Sequence, residues 1–467
     1  MRTEANSPRL RTLGCLAIAA LGILYWLAPE GFDPIIAWPC LLVVYGLIAH
    51  ALYRPVAMRP QIASVIAPET LFLLLAALVF FLPYQLALLG MFDIGASRFI
   101  TRSFMEEANS AIILSTLGVT AFYLGCRWHV AGPVVSPIAP DRRLAALPIA
   151  TLLAMLALIA LYLGAGWRAA GEGRYTGTQS GGAVADGVSL LIVMLAMMAV
   201  ALPAIKRKWS ASLGLGACVA IGWAVYLAAF GDRNGALLII VAGIGSWASF
   251  RRPVGPIALT AALVAGLLIY GVLETVRLPT DPYRAPVLAH QTLETSFNIS
   301  TIANRAALAT VPGETDFAYG RYKLIGLAGV LPLIRGWALG DGSTYQTSAD
   351  RLTAIMPPPD AGWNVGTTII ADLYVDFGPA GVPVGLFALG LIAGWLRNRA
   401  ITIPGSDAAS VSYVLALALF AQLPRYAADF PVRILVWSAL FMLAVKLIMP
   451  LPACSDVDLG LPQRAAP

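Results

Sequence analysis

Charge is what this sequence has least of: 12% of its 467 residues are Asp, Glu, Lys or Arg, where a soluble globular protein carries roughly a quarter. Together with 59% hydrophobic residues and a mean hydropathy of +0.77, that scarcity excludes an ordinary soluble domain and indicates a polytopic membrane protein. Histidine is scarcer still, at 3 residues, and His50 and His129 fall near one membrane face, leaving His290 alone in a long polar loop. The 5 cysteines (Cys15, Cys40, Cys126, Cys218, Cys454) show no Cys-x-x-Cys spacing, which argues against a disulfide framework and against a thiolate metal site. A Walker lysine loop, a His-Glu-x-x-His helix and a nucleotide fingerprint are also missing, so ATP hydrolysis and zinc proteolysis fit poorly. The net charge of +6 is dispersed, with no basic run longer than Lys206-Arg207-Lys208, so nucleic acid is not an expected partner.

What is abundant is apolar runs long enough to cross a bilayer, for which about 20 residues suffice. They lie near 12–28, 34–52, 69–90, 109–126, 144–164, 187–205, 211–230, 235–250, 257–274, 366–396, 408–424 and 434–450, about twelve transmembrane helices in an all-α chain. The first run follows a basic head, as in a signal peptide, but its length and the run just behind it favour a first span. Placing Arg2, Arg9 and Arg11 in the cytoplasm puts Arg54 and Arg59, then Arg127, Arg142 and Arg143, then Lys206 to Lys208, Arg251 and Arg252, and Arg397 and Arg399 on that same side. Every short inner loop is then basic, as the positive-inside rule requires, and both termini are expected in the cytoplasm. The division expected is spans over 1–275, one large outer loop over 276–363, and the last spans with a cytoplasmic tail over 364–467.

The outer side is basic as well, through Arg98, Arg102, Arg168, Arg174, Arg233, Arg277, Arg284, Arg305, Arg321, Arg335, Arg351, Arg425 and Arg433, with Lys323 the one lysine among them. Arginine-rich coding explains part of that bias. Placement close to span ends is the part it leaves over, and a planar five-donor fork there suits a phosphate better than an ammonium does. Within the large loop, Leu293, Phe297, Ile302 and Leu308 recur at helical spacing, which predicts an amphipathic helix lying on the membrane or on the spans. The apolar stretch 324–334, between Lys323 and Arg335 and interrupted by Pro332, is too short to span and predicts a re-entrant or interfacial segment. "MPPPDAGWN" (356–364) reads as an extended strap, and the glycine-rich "GAGWRAAGEGRYTGTQSGGAVADG" (164–187) as a flap.

"AAFGDRNGALLII" (228–240) places Asp232, Arg233 and Asn234 between two spans with almost no loop. A tight turn with Asp232 or Asn234 capping the next helix accounts for two of these residues. It does not account for Arg233, whose charge in a first helical turn opposes the helix dipole by about 0.3–1 kcal/mol. A bound anion reverses that sign, because backbone N–H groups and a guanidinium fork then converge on one negative group. Pairing of Arg233 with Asp232 is the plainer alternative. Other charges gather at outer span ends: Glu274 and Arg277 three apart, Asp372 and Asp376 four apart on one helical face, and Arg425, Asp429 and Arg433 between the last two spans. A metal site built on Asp372 and Asp376 lacks a third ligand.

Taken in order, "FGDRNGALL", "FAYGRYKLIGLAGVLPLIRGW" and "GTTIIADLYVDFGPAGVPVGLFALGLIAGWL" resemble the Wzy-type O-antigen and exopolysaccharide repeat-unit polymerases over residues 225–396. Two departures stand out: the family's Pro-Arg pair is here Pro332 and Arg335, separated by Leu333 and Ile334, and its glutamate near the loop exit corresponds to Asp372. The resemblance implies a GT-C-type bundle in the bacterial inner membrane with a periplasmic active site. It implies transfer of a growing glycan from undecaprenyl pyrophosphate to the non-reducing end of the next lipid-linked repeat unit, with a Wzz-type chain-length regulator as a further partner. No cofactor and no metal are expected for that reaction. Arg233 and Arg277, assisted by Arg321 and Arg335, are the expected pyrophosphate ligands. Asp372 or Asp376 leads as base, ahead of Glu274 and His290, and Arg425, Tyr426, Arg433 and Tyr322 are expected to meet the acceptor glycan. An O-antigen ligase delivering glycan to a lipid A core is the nearest alternative, and a flippase or transporter the next. The transporter reading expects charge deep within spans, whereas here nearly all charge sits at their ends; Lys446 is near enough to an edge to snorkel.

Overall fold

The computed structural model describes residues 8–59, 62–97, 100, 102–128, 142–167, 182–206, 209–230, 232–277, 297–328, 347–356 and 365–448. Its helices are α1 (Pro8–Leu27), α2 (Pro34–Tyr53), α3 (Pro68–Ala76), α4 (Leu82–Leu88), α5 (Ala108–Cys126), α6 (Leu147–Gly164), α7 (Gly182–Ile205) and α8 (Ala211–Ala229). They continue with α9 (Arg233–Phe250), α10 (Pro256–Arg277), α11 (Ile299–Thr310), α12 (Arg321–Ala328), α13 (Ser348–Ile355), α14 (Ile369–Thr402), α15 (Asp407–Gln422) and α16 (Asp429–Ile448). A small antiparallel hairpin, β1 (Val56–Arg59) and β2 (Ile62–Ser64), follows α2. A π turn over Ala77–Phe81 joins α3 to α4 one residue before Leu82 and Pro83, so the two act as one kinked apolar rod.

Among the described residues 11 helical stretches are long and apolar enough to cross a membrane, and α10 adds a shorter apolar stretch, Pro256–Val272. Eleven of the twelve runs found in the sequence coincide with these spans, and the run at 257–274 coincides with the shorter stretch. Burial sorts them by position. The stretch containing α5 is 94% buried and that containing α15 is 89% buried, against 6% for α1. α5 and α15 are therefore the axis of the bundle, and α1 is peripheral. α15 joins two apolar cores: Ala416 and Phe420 pack with α2, α3, α5 and α14, whereas Tyr413, Leu417 and Leu419 pack with α6 to α9.

Close approach of α5 and α14 has a simple cause. A Cβ on Gly125 would collide with the backbone oxygen of Phe387, and one on Gly390 with that of Phe122. Small residues thus let two backbones touch where apolar burial between helices supplies little drive in lipid. The hydroxyls buried inside α5 are satisfied locally: Ser115 donates to the Ala111 carbonyl at 2.7 Å, and Thr116 and Thr120 donate one turn back at 2.8 Å.

α14 is broken at Gly378, whose φ of 70° is open to glycine and strained for other residues. Pro379 follows immediately, and the Phe317 ring lies 3.1 Å from where a Cβ on Gly378 would stand. Asp372 and Asp376 consequently sit on a separate short segment above a long apolar rod.

Of the segment 276–363, α11 is buried along nearly its whole length rather than lying on a surface. Phe297, Ile302 and Leu308 join the core of α5 and α14, which settles the amphipathic helix onto the spans; Leu293 lies outside the described residues. Its polar face is buried too. Arg305 is 0% exposed and donates to the Ile94 carbonyl at 3.0 Å and to the Met105 sulfur at 2.6 Å. Burial pulls this guanidinium below the ordinary arginine range. The expected re-entrant stretch begins as α12, and its residues 329–334, the strap from 357 onward and most of the glycine-rich flap lie outside the described residues.

Candidate functional site

Two clusters of charge form at the bundle end that carries α11 to α13. The first grows from the turn into α9. Asp232 caps that helix, accepting from the Gly235 amide at 3.0 Å, so the capping half of the plain reading holds. Arg233, the first residue of α9, is 7% exposed, and its guanidinium lies 4.2 Å above the ring of Tyr270 near the end of α10. Arg425, in the connector between α15 and α16, donates to the Tyr270 hydroxyl and stands 5.9 Å from the same ring. Two guanidiniums from opposite parts of the chain therefore share one aromatic ring. The Gln422 amide donates to the Asn234 carbonyl at 3.2 Å, fastening the end of α15 to the start of α9 beside them.

The second cluster docks the large loop onto α14. Lys323 of α12 reaches Asp372 Oδ1 at 2.5 Å and Asp376 Oδ2 at 3.1 Å, one turn apart on the same helical face as their spacing requires. Both carboxylates are buried. Asp372 is engaged at each oxygen: Ser348 Oγ donates to Oδ1 at 2.6 Å, and the Ala428 amide donates to Oδ2 at 2.8 Å. Asp376 Oδ1 accepts from the Tyr322 amide at 3.3 Å. Burial on its own opposes the Lys323 ammonium, but Asp372 and Asp376 outweigh it and hold the group above the ordinary lysine range. Burial pushes the Tyr322 phenol up, against the opposing pull of Arg351. Arg351 donates in turn to Thr315 and, at 2.8 Å, to the Asp316 carbonyl. Beyond them Asp429 pairs with Arg433 at 2.8 Å, and its side chain packs where a Cβ on Gly326 of α12 would have to go.

The connector Leu423–Ala428 belongs to both clusters, holding Tyr270 through Arg425 and Asp372 through the Ala428 amide. The structure thus brings together Arg233 with Arg425, and Asp372 with Asp376, at one end of the bundle. Arg425, grouped by the sequence with the acceptor, here shares its aromatic partner with Arg233. Tyr426 stacks on Phe430 at 4.1 Å, Tyr322 is buried, and Arg321 is exposed. Glu274 and Arg277 close α10 in backbone, but their side chains lie outside the described residues, as do His290 and Arg335. Among the described residues no His, Cys, Asp and Glu gather in a set able to hold a metal ion.

Sequence reasoning missed Tyr270, Lys323 and Ser348 as members of these clusters. Lys323 did carry a signal, being the one lysine among the outer arginines. Tyr270 carried none, since it lies within the apolar run "GLLIYGVLE".

A separate charged knot closes the far end of α14, about 35 Å of helix rise from Asp372. Glu69, 1% exposed, is paired with Arg397 and, at 3.1 Å, with Arg127. Arg397 also donates to the Cys126 carbonyl at 2.8 Å, and Lys206 pairs with Asp407 at 2.5 Å.

Comparison with known proteins bears on the half of the chain that carries both clusters. No curated protein and no solved structure matches the chain. The family of O-antigen polysaccharide polymerase Wzy matches over residues 206–452, just over half the sequence and all of α8 to α16. That match covers more than half of the chain, in keeping with the 11 candidate spans among the described residues, and the chain belongs to the O-antigen polysaccharide polymerase Wzy family.

Proposed function

We propose that the protein polymerises undecaprenyl-pyrophosphate-linked glycan repeat units at the periplasmic face of the bacterial inner membrane. The family supplies the coarse activity, an O-antigen repeat-unit polymerase acting on lipid-linked oligosaccharide within a membrane. The single observation supporting a diphosphate donor is the pair Arg233 and Arg425 on Tyr270, at the end of the spans where a lipid headgroup sits. Basic residues in every short loop of the opposite side support placing this end in the periplasm, with both termini inside; a GT-C-type arrangement of the spans is part of the proposal and rests on the family resemblance alone.

In the reaction a hydroxyl at the non-reducing end of the incoming unit attacks the anomeric carbon of the growing chain. The carbon–oxygen bond to the diphosphate breaks, its electron pair leaves with the diphosphate, and the hydroxyl proton passes to a base. Preorganised guanidiniums in a site of low dielectric stabilise the charge that builds on the leaving group, the term that usually dominates such catalysis; this route asks for no metal and no cofactor. Arg277, Arg321 and Arg335 are the further cations assigned to the diphosphate, Arg335 and the Arg277 side chain lying outside the described residues. Asp372 takes three short bonds, from Lys323, Ser348 and the Ala428 amide, and acts as the anchor of the loop, whereas Asp376 takes two longer ones, from Lys323 and the Tyr322 amide; the base is therefore assigned among Asp376, Glu274 and His290. Tyr322, Tyr426 and Arg433 are assigned to the acceptor glycan.

Purified full-length protein in nanodiscs, given synthetic lipid-diphosphate repeat units without nucleotide, is expected to produce a ladder of glycan lengths on a sizing gel. Absence of any product longer than the input, from protein that is folded and inserted, would contradict the reading.

A further inference from the structure

Tyr270 touches both arginines of the first cluster, and it reaches them from the end of α10. On α10, Leu268, Ile269 and Val272 are 68%, 60% and 53% exposed. Leu267 packs on the core and Gly271 is buried, so the inward face of this helix end is Leu267, Tyr270 and Gly271. The tyrosine ring gives Arg233 a face at 4.2 Å, and its hydroxyl accepts from Arg425. A guanidinium over a ring keeps its donor edge turned outward, because the attraction acts through the flat face. One aromatic side chain thereby holds two guanidiniums at one place, and an anion with two charged centres matches two such forks.

We propose that Tyr270 is a positioning residue that spaces Arg233 and Arg425 to bind the two phosphoryl groups of a diphosphate, so that this cluster selects diphosphates over monophosphates. This rests on reading the site as the leaving-group site of the polymerase. It adds the residue that sets the spacing and the selectivity that follows. A lipid headgroup and a free diphosphate share the chemistry that would be recognised.

The test separates binding from turnover. Full-length protein in nanodiscs is heated with inorganic pyrophosphate or with inorganic phosphate, and the same preparations are assayed with lipid-diphosphate repeat units. For the parent protein, pyrophosphate raises Tm with dose and phosphate at equal concentration does so at least about tenfold more weakly. Tyr270→Phe keeps the ring under Arg233 and loses the bond from Arg425, and is expected to weaken pyrophosphate binding about threefold to tenfold. Tyr270→Leu loses both and is expected to weaken it about tenfold or more, with KM for the donor rising further than kcat falls. Ile269→Ala, on the exposed side of the same helix, changes neither.

Pyrophosphate and phosphate raising Tm equally in the parent protein would overturn the proposal, as would unchanged pyrophosphate binding in Tyr270→Leu. If Tyr270→Leu does not fold, Tyr270→Phe decides alone: pyrophosphate binding equal to that of the parent protein overturns the assignment. Selective pyrophosphate binding that depends on Tyr270, with no polymer formed from lipid-linked units, supports the clamp while refuting the polymerase reading. Polymer formation with no pyrophosphate selectivity refutes the clamp alone.

Discussion

Asp372 and Lys323 show what single residues do at this end of the protein. Asp372 accepts from Lys323, Ser348 and the Ala428 amide, tying α12, α13 and the α15–α16 connector to α14 through one carboxylate. Asp372→Asn keeps the shape and removes the charge, leaving Lys323 with Asp376 alone. Breaking a buried pair of this kind costs about 3–5 kcal/mol. The expected result is a lower Tm, whereas Asp376→Asn is expected to lose kcat with a smaller change in Tm. The pH dependence follows from the direction of the Lys323 shift. Its folded-state value is raised, so its contribution is fully present below the unfolded lysine value of about 10.4 and is lost only as pH rises through the higher folded one. Between pH 7 and 9 the Tm deficit of Lys323→Met should therefore stay constant, and a deficit that shrinks across that range would contradict the pairing.

At the scale of elements, the positions of the spans were legible and their partners were not. Twelve apolar runs were visible because a helix crossing lipid needs about 20 apolar residues in sequence, a local property. The burial of α11 was not, since Ile302 and Leu308 mark an apolar face but nothing local says that Asn304 and Arg305 behind it meet Thr368, Ile94 and Met105. Asp372 and Asp376 were legible as a pair through their spacing of four. Their cation was not, because Lys323 lies 49 residues away from Asp372 along the chain. Tyr270 looked like one more apolar residue, and only contact with α9 and the α15–α16 connector shows its use. The α5–α14 contact gives a prediction at this scale. Gly390→Ala puts a methyl group against the Phe122 carbonyl, and overpacking of this sort costs about 1–3 kcal/mol. Thermal unfolding in detergent should register that loss, while Gly22→Ala, whose Cβ would meet nothing within 4 Å, should not.

The molecule as a whole is a bundle pinned by charge at both ends and held by apolar contact between them. At the end away from the clusters, Glu69 is the carboxylate between Arg397 and Arg127 and joins α3, α5 and α14. Glu69→Gln leaves two guanidiniums facing a neutral amide, with an expected cost of about 3–5 kcal/mol. The variant should assemble poorly in membranes yet keep normal glycan lengths per folded molecule, because the lesion is remote from the first two clusters. Shortened glycan at equal folded protein would show that the two ends are coupled.

On the proposed reaction, guanidiniums from separate helices converge at one end of the bundle to hold a lipid diphosphate while its glycan is transferred. Arg233→Ala tests it most directly, read as the length distribution of surface glycan in cells lacking the native copy, alongside the amount of inserted protein. Removal of a preorganised charge at the leaving group is expected to lower turnover about a hundredfold or more, so long glycan should vanish and single repeat units remain while insertion is unchanged. A normal ladder from normally inserted Arg233→Ala protein would contradict the account.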